Sequence, residues 1–345
     1  MVVIINDTRY QSQFTKTSFS NFKKTELIKE LLNTLQTRDL ERGCYFVSEM
    51  VCSGYYIDLW NMVITHICKY IHISNPRLII YLKHKIYRFK NIANNNTKGE
   101  IDLRNNTEVR TLFCELVILI CHTNNKTALN EISVKSDELN IDVISRKFQA
   151  PNYSFVQTFF QNGDPKEIYM ALNEFAFHIS SSSSNYNMAC YWFEWLLMFD
   201  EYCKKKKEKI AVMPRNFVIV GKGKNKGNTD LVWCIWDCLI NRSEKLGQGI
   251  RKMMSALCDI YQLKYDSRNA KKRKSVIYNA IYICIEQLDF SIPLCTLNYN
   301  QEYLIQNTDK IYTTLKKQEI IEEQEDSSNC KIDKIKQMET YMYNF

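Results

Sequence analysis

Glycine and proline are scarce in this chain, nine and five among 345 residues. An all-β protein needs a turn every ten residues or so and draws on both to make it. Their scarcity argues for helices joined by polar loops. Long apolar runs are missing too. The longest, such as residues 116–121, falls far short of the roughly 18 residues that cross a bilayer, so no membrane span is expected. Val2-Val3-Ile4-Ile5 is too short for the apolar region of a secretory signal and no basic residue precedes it. Cysteine pairs with metal-site spacing are also lacking. Cys234 and Cys238 stand four apart and Cys121 adjoins His122, but structural zinc needs a second matching pair. These cysteines read as small buried apolar residues, and no metal or other cofactor is expected. The five histidines, His66, His72, His84, His122 and His178, show no Ser, Cys or carboxylate partnership in sequence, although triads assemble in space. The chain is therefore not expected to be an enzyme.

What remains is a composition for a large core, with 45% hydrophobic residues and an ordinary charged fraction. Thirteen cysteines at irregular spacing suggest reduced thiols in an intracellular compartment. Asn, Ile, Lys and Tyr are abundant, which fits an AT-rich genome and lowers the weight of any scattered lysine. It does not lower the weight of a cluster. Between Lys204 and Gly227 lie Lys204, Lys205, Lys206, Lys207, Lys209, Arg215, Lys222, Lys224 and Lys226, opposed by Glu208 alone. That stretch nets +8, the formal charge of the whole chain. Such a concentration implies a surface that meets something anionic. Lysines at a helix end also complement the macrodipole, so a solvated helix terminus followed by a loop is an equal reading. The remaining readings are nucleic-acid phosphate and an acidic partner, including the chain's own acidic stretch at Glu319, Glu322, Glu323, Glu325 and Asp326. Gly221 to Gly227 is not a P-loop: it lacks the GxxxxGK[ST] spacing, and Asn228-Thr229 follows it. A second basic cluster, Arg268, Lys271, Lys272, Arg273 and Lys274, opens a predicted helix where cations are unfavourable. A contact role there competes with a later helix start.

Apolar spacing predicts helices over residues 22–35, 38–52, 55–72, 76–92 and 106–120, then 164–180, a long aromatic helix from 186 into the lysine run, and 230–240, 243–265 and 270–288. Helix 76–92 carries Arg77, Lys83, Lys85, Arg88 and Lys90 with no acid. Asp164-Pro165 looks like an N-cap with proline in the first turn. Tyr191-Trp192-Phe193-Glu194-Trp195 and Trp233-Cys234-Ile235-Trp236 are apolar on nearly all faces, as in a helix buried in the core. The expected fold is all-α, a compact multi-helix array. It comprises a flexible arm (1–20), an N-terminal helical half (21–150), a C-terminal half (151–297) with the basic Gly/Lys loop, and a polar, acidic tail or peripheral helix (298–345). Cys44-Tyr45-Phe46 and Cys190-Tyr191-Trp192, each followed by an acid, Glu49 and Glu194, raise the idea that the halves are related.

Cys44-Tyr45-Phe46-Val47-Ser48-Glu49, Leu59-Trp60 and Tyr70-Ile71-His72-Ile73-Ser74-Asn75-Pro76 resemble an uncharacterised family of nucleocytoplasmic large DNA viruses, the giant-virus group. So do Asn173-Glu174-Phe175-Ala176, Ala189-Cys190-Tyr191-Trp192 and the lysine run from Cys203. The resemblance covers roughly residues 38–290 and carries no catalytic residues over. It implies a viral protein in the host cytoplasm of an infected cell, with virion association open. The expected role is a non-enzymatic scaffold or adaptor in a virion or a replication or expression complex, with a viral or host protein partner. The alternative is a nucleic-acid-binding accessory protein that works through phosphate contacts.

Overall fold

The computed structural model describes residues 3–97, 99–208, 210–219, 227–265, 272–295 and 301–321. Among the described residues there is no β-strand, only isolated bridges, and the protein is all-α. None of the helices among the described residues is long and apolar enough to cross a membrane. The chain forms two compact units. Unit 1 takes residues 1–67, 84–125 and 293–345; unit 2 takes 68–83 and 126–292. The expected division near Pro151 is therefore displaced. Residues 126–150 pack into unit 2: Phe148 stacks on Trp192, with centroids 5.6 Å apart, and Trp195 donates to the Glu138 carbonyl. Their polar sequence hid this, because they pack through short turns and one four-residue helix, too short to show an apolar periodicity.

Unit 1 contains α1 (Lys24–Thr37), α2 (Leu40–Cys52), α3 (Tyr56–His66), the second part of α4 (Pro76–Asn94) and α5 (Thr107–Cys121). Asp39 caps α2 through the Arg42 amide, and Asn106 caps α5 through the Val109 amide. Each offers the side-chain acceptor that an open helix start requires. Leu27, Leu31 and Leu35 of α1 bury at the spacing the sequence shows. At Gly43 an added Cβ would lie 2.9 Å from Val117 Cγ1, so α2 and α5 approach closely there.

The supposed arm of residues 1–20 is part of this unit, since Ile5, Phe14 and Phe19 are buried. Short polar runs around single apolar anchors do not show as periodicity. Described residues of the polar tail are also integral. They form the last helix, Gln301–Lys316, which packs on α5 and α2 with Tyr312 and Leu315 fully buried. A clasp then joins the two ends: Thr8 donates to the Ile320 carbonyl at 2.9 Å, and the Ile320 amide donates to Asp7 at 2.8 Å.

Unit 2 begins at Cys68, within a π-turn, Ile67–Ile71, and continues through a 3-10 turn, His72–Ser74, and the first part of α4. After the short α6 (Ile141–Ile144) come α7 (Tyr169–His178), α8 (Tyr186–Lys205), α9 (Val232–Glu244), α10 (Gln248–Gln262) and α11 (Lys274–Ile285); the Gln301–Lys316 helix of unit 1 is then α12. Trp192, Trp233 and Trp236 are fully buried, as their apolar surroundings predict. Asp164-Pro165 does not cap a helix. A 3-10 turn, Lys166–Ile168, intervenes, and Asp164 is engaged elsewhere.

Candidate functional site

The basic stretch divides by role. Lys204 and Lys205 end α8, and Lys204 pairs with Asp200 four residues back at 2.5 Å. Lys206 lies over the Tyr202 ring, 4.5 Å from its centroid. Lys207 stands at φ +63°, and the Glu208 amide reaches back to the Cys203 carbonyl at 2.9 Å. That is a left-handed helix stop with lysine where glycine is usual. Lys204 to Lys207 are all exposed. Lys209, Lys222, Lys224, Lys226 and Lys271 lie outside the described residues. In the second cluster, Lys272 is exposed.

Three residues expected to meet an anion turn inward instead. Arg215 is buried among Asp164, Asp237 and Cys234. Its guanidinium meets Asp164 two-pronged, at 3.0 and 2.6 Å, and its Nε donates to Asp237 at 2.7 Å. Asp164 also accepts from the Gln161 and Met213 amides. Burial raises the Asp164 carboxyl, but the Arg215 bonds and the two amides outweigh it and hold it below its ordinary value. Asp237 has fewer donors, and burial leaves it raised. The knot ties two irregular segments, near 161–164 and 212–215, to α9. Removing one member of such a buried ion group costs about 3–5 kcal/mol, because it strands the other charges. Arg273 is buried and donates to the Tyr261 and Leu263 carbonyls at the end of α10. Lys274 pairs with Glu194 at 2.7 Å and with Glu131 at 3.5 Å. All three are engaged by acceptors of this chain. Sequence alone shows a guanidinium or ammonium group but not the carboxylates brought to it from far along the chain. The same holds for α4, where Lys83 pairs with Asp259, Lys85 with Glu115 and Arg88 with Glu108.

A histidine partnership invisible in the sequence does assemble. His178 Nδ1 lies 2.9 Å from Ser183 Oγ, and its Nε2 lies 3.5 Å from Glu174 Oε2. Only the i, i+4 spacing of Glu174 and His178 could have signalled it. The order is that of a hydrolytic triad, but the surroundings are those of a joint. Both Glu174 oxygens accept backbone amides, Gln149 at 2.9 Å and Ala150 at 3.0 Å. The Ser182 amide goes to Ser180 Oγ, those of Ser183 and Ser184 go to the Ser180 carbonyl, and that of Asn185 goes to the His178 carbonyl. These amides are thus engaged in closing the turn and do not point at a place where an oxyanion would form. The group closes the turn between α7 and α8 and clamps the segment before it.

The other buried carboxylates follow the same pattern. Glu49 of α2 accepts from Ser18 Oγ, the Ser20 amide and Ser20 Oγ. Glu194 of α8 holds Lys274 and Tyr278. Every described cysteine except Cys295 is buried. Burial pushes the Cys234 thiol up to about 12, with Arg215 opposing. Among the described residues no group of three or more His, Cys, Asp or Glu is arranged so that it could hold a metal ion. A shallow pocket of about 200 Å³ lies in unit 1, lined in part by Phe14, Tyr55, Ile57 and the Lys24–Asp58 ion pair. Comparison with protein-family models, with curated proteins and with solved structures gives no match for this chain.

Proposed function

We propose that the protein is a non-enzymatic helical scaffold or adaptor subunit of a viral assembly, in the virion or in a replication or expression complex of the infected cell. The observation that carries this reading is the use made of the ionisable side chains. Asp164–Arg215–Asp237, Glu49, Glu174–His178 and Lys274–Glu194 each lock an irregular segment or a neighbouring helix onto a helix. Groups that could do chemistry serve as joints, which is how a rigid body is built from a loop-rich helical chain. The viral setting rests on the resemblance of the Cys44–Glu49 and Ala189–Trp192 motifs. Exposed apolar residues at the unit 1 clasp, Ile4, Ile320 and Ile321, offer a surface for a protein partner.

Affinity capture of the tagged protein from infected cells, with cross-linking, tests the reading. A partner in fixed ratio, cross-linked near the clasp and lost when Ile4, Ile320 and Ile321 are changed to Ser, is the expected result. Recovery of the protein alone would overturn it.

A further inference from the structure

Three basic segments that are far apart in sequence come together at one end of unit 2. The chain leaving α8 returns beside the entry to α9, since the Val212 amide donates to the Thr229 carbonyl at 2.9 Å. Gly227 is held there, its carbonyl accepting from Trp233 Nε1, and an added Cβ would lie 3.0 Å from the Tyr265 ring. Tyr265, just past α10, donates to Asp230 at 2.9 Å. The Ile219 amide bonds to Gln262 in the last turn of α10 at 2.7 Å. Arg273, at the start of α11, bonds to the Leu263 carbonyl. Lys274, in the first turn of α11, pairs with Glu194 of α8 at 2.7 Å. The ends of α8 and α10 and the starts of α9 and α11 therefore share one face.

That face carries exposed Lys204, Lys205, Lys206, Lys207, Lys264 and Lys272, with Glu201 and Glu208 as the exposed acids of the α8 end. Two of these lysines occupy backbone positions that favour glycine. Lys207 closes α8 at φ +63°. Lys264 sits at φ +44°, following Leu263 at ψ 117°, in a turn closed by the Tyr265 amide on the Gln262 carbonyl at 3.2 Å. This is the third position of a type II turn, normally Gly or Asn. Keeping lysine at two left-handed positions on one face costs stability and adds charge there. Tyr202, partly exposed beneath Lys206, adds an aromatic ring of the kind that stacks on bases.

We propose that this end of unit 2 is a composite binding face for the phosphate backbone of nucleic acid, read without sequence preference. It is built from the ends of α8 and α10 and the entry to α11, and it stands independently of the adaptor reading. Lysine ammonium groups suit phosphate as point charges, and their spread over three segments fits an extended polyanion better than a single bound phosphate.

Fluorescence anisotropy of the full chain with labelled duplex DNA and with labelled oligothymidylate tests the proposal. Log affinity should fall linearly with log salt between ~50 and ~200 mM. Changing Lys205, Lys206, Lys207 and Lys272 together to Gln should weaken binding at least tenfold. It should also flatten the salt slope by roughly one for each phosphate that is no longer neutralised. Lys29→Gln, an exposed lysine of unit 1, should change nothing. Lys207→Gly should weaken binding severalfold while leaving Tm no lower than wild type, a result that mere misfolding cannot produce. Tighter binding of the duplex or of the single strand would identify which form is the ligand. No binding at low salt, undiminished binding by the fourfold variant, or equal competition by polyglutamate, which would mark an acidic protein as partner, would each overturn the proposal.

Discussion

His66 closes α3 fully buried, with Asn125 as its neighbour in hydrogen bonding. Burial lowers its pKa to about 4, only partly offset by Asn125. The unfolded chain, with an ordinary histidine near 6.5, therefore binds the proton first. Folded-state stability is complete above about pH 6.5 and is lost as pH falls toward 4. At pH 5 the loss from this group is about 2 kcal/mol. Asp7, Asp164 and Glu174 are held below their ordinary values and lose stability in the same direction, but only at lower pH, where carboxylates protonate. Asp237, Asp200 and Glu194 are raised and act in the opposite sense, their burial being relieved by protonation. His72, also lowered by burial, adds to the His66 effect. Urea unfolding at pH 7.5 and pH 5 separates these contributions. His66→Gln keeps a polar side chain but cannot titrate, so it should lose about 2 kcal/mol less than wild type between the two pH values. Parallel losses in the two proteins would show that His66 is not the group responsible.

At the scale of the element, the α2–α5 packing turns on Gly43, where a Cβ would lie 2.9 Å from Val117 Cγ1. Helix propensity favours alanine over glycine by about 1 kcal/mol, but overpacking a buried site costs about 1–3 kcal/mol. Gly43→Ala should therefore destabilise the protein. Val117→Ala should cost less in that background than alone, with a coupling of about 1–2 kcal/mol in a double-mutant cycle of unfolding free energies. Additive costs would mean that the helices part without strain. Helices of this kind were legible in sequence: Leu27, Leu31 and Leu35, the helix start at Asn106 and the buried tryptophans all follow from spacing and local chemistry. Boundaries set by non-local bonds were not. Asp164 reads as a cap and is a ligand of Arg215, because the partner lies fifty-one residues away. Helix 55–72 ends early, at His66, in a π-turn that apolar spacing does not register. At the candidate site the sequence located the lysine run and its helix-end character. It could not distinguish Arg215, Arg273 and Lys274, which face inward, from Lys205 to Lys207, which face out, nor place Lys264 beside them.

For unit 1 as a whole, residues 3–20 and 301–321 are structural parts, although both stretches read as polar periphery. In α12, Leu304, Thr308, Tyr312 and Leu315 are buried, and the Arg110 guanidinium lies 3.7 Å above the Tyr312 ring. Arg110 in turn bonds to the Val3 and Arg104 carbonyls and to Asn105, while Asp7 receives the Ile320 amide. The first and last described segments are thus coupled through one buried guanidinium and one buried carboxylate. Unit 1 should not reach its full stability until residues 301–321 have been made. Burial of Tyr312 and Leu315 alone is worth about 3–6 kcal/mol. A chain ending at residue 297 should lose at least that much and also leave Arg110 without its aromatic cover. For a unit of this size, that corresponds to a fall of about 6 °C or more in Tm. A peripheral tail predicts no such change, so calorimetry of the truncated and full chains decides between them. Arg110→Gln in the full chain should lower the same transition and leave that of unit 2 in place. If both transitions moved together, the coupling would not be confined to unit 1.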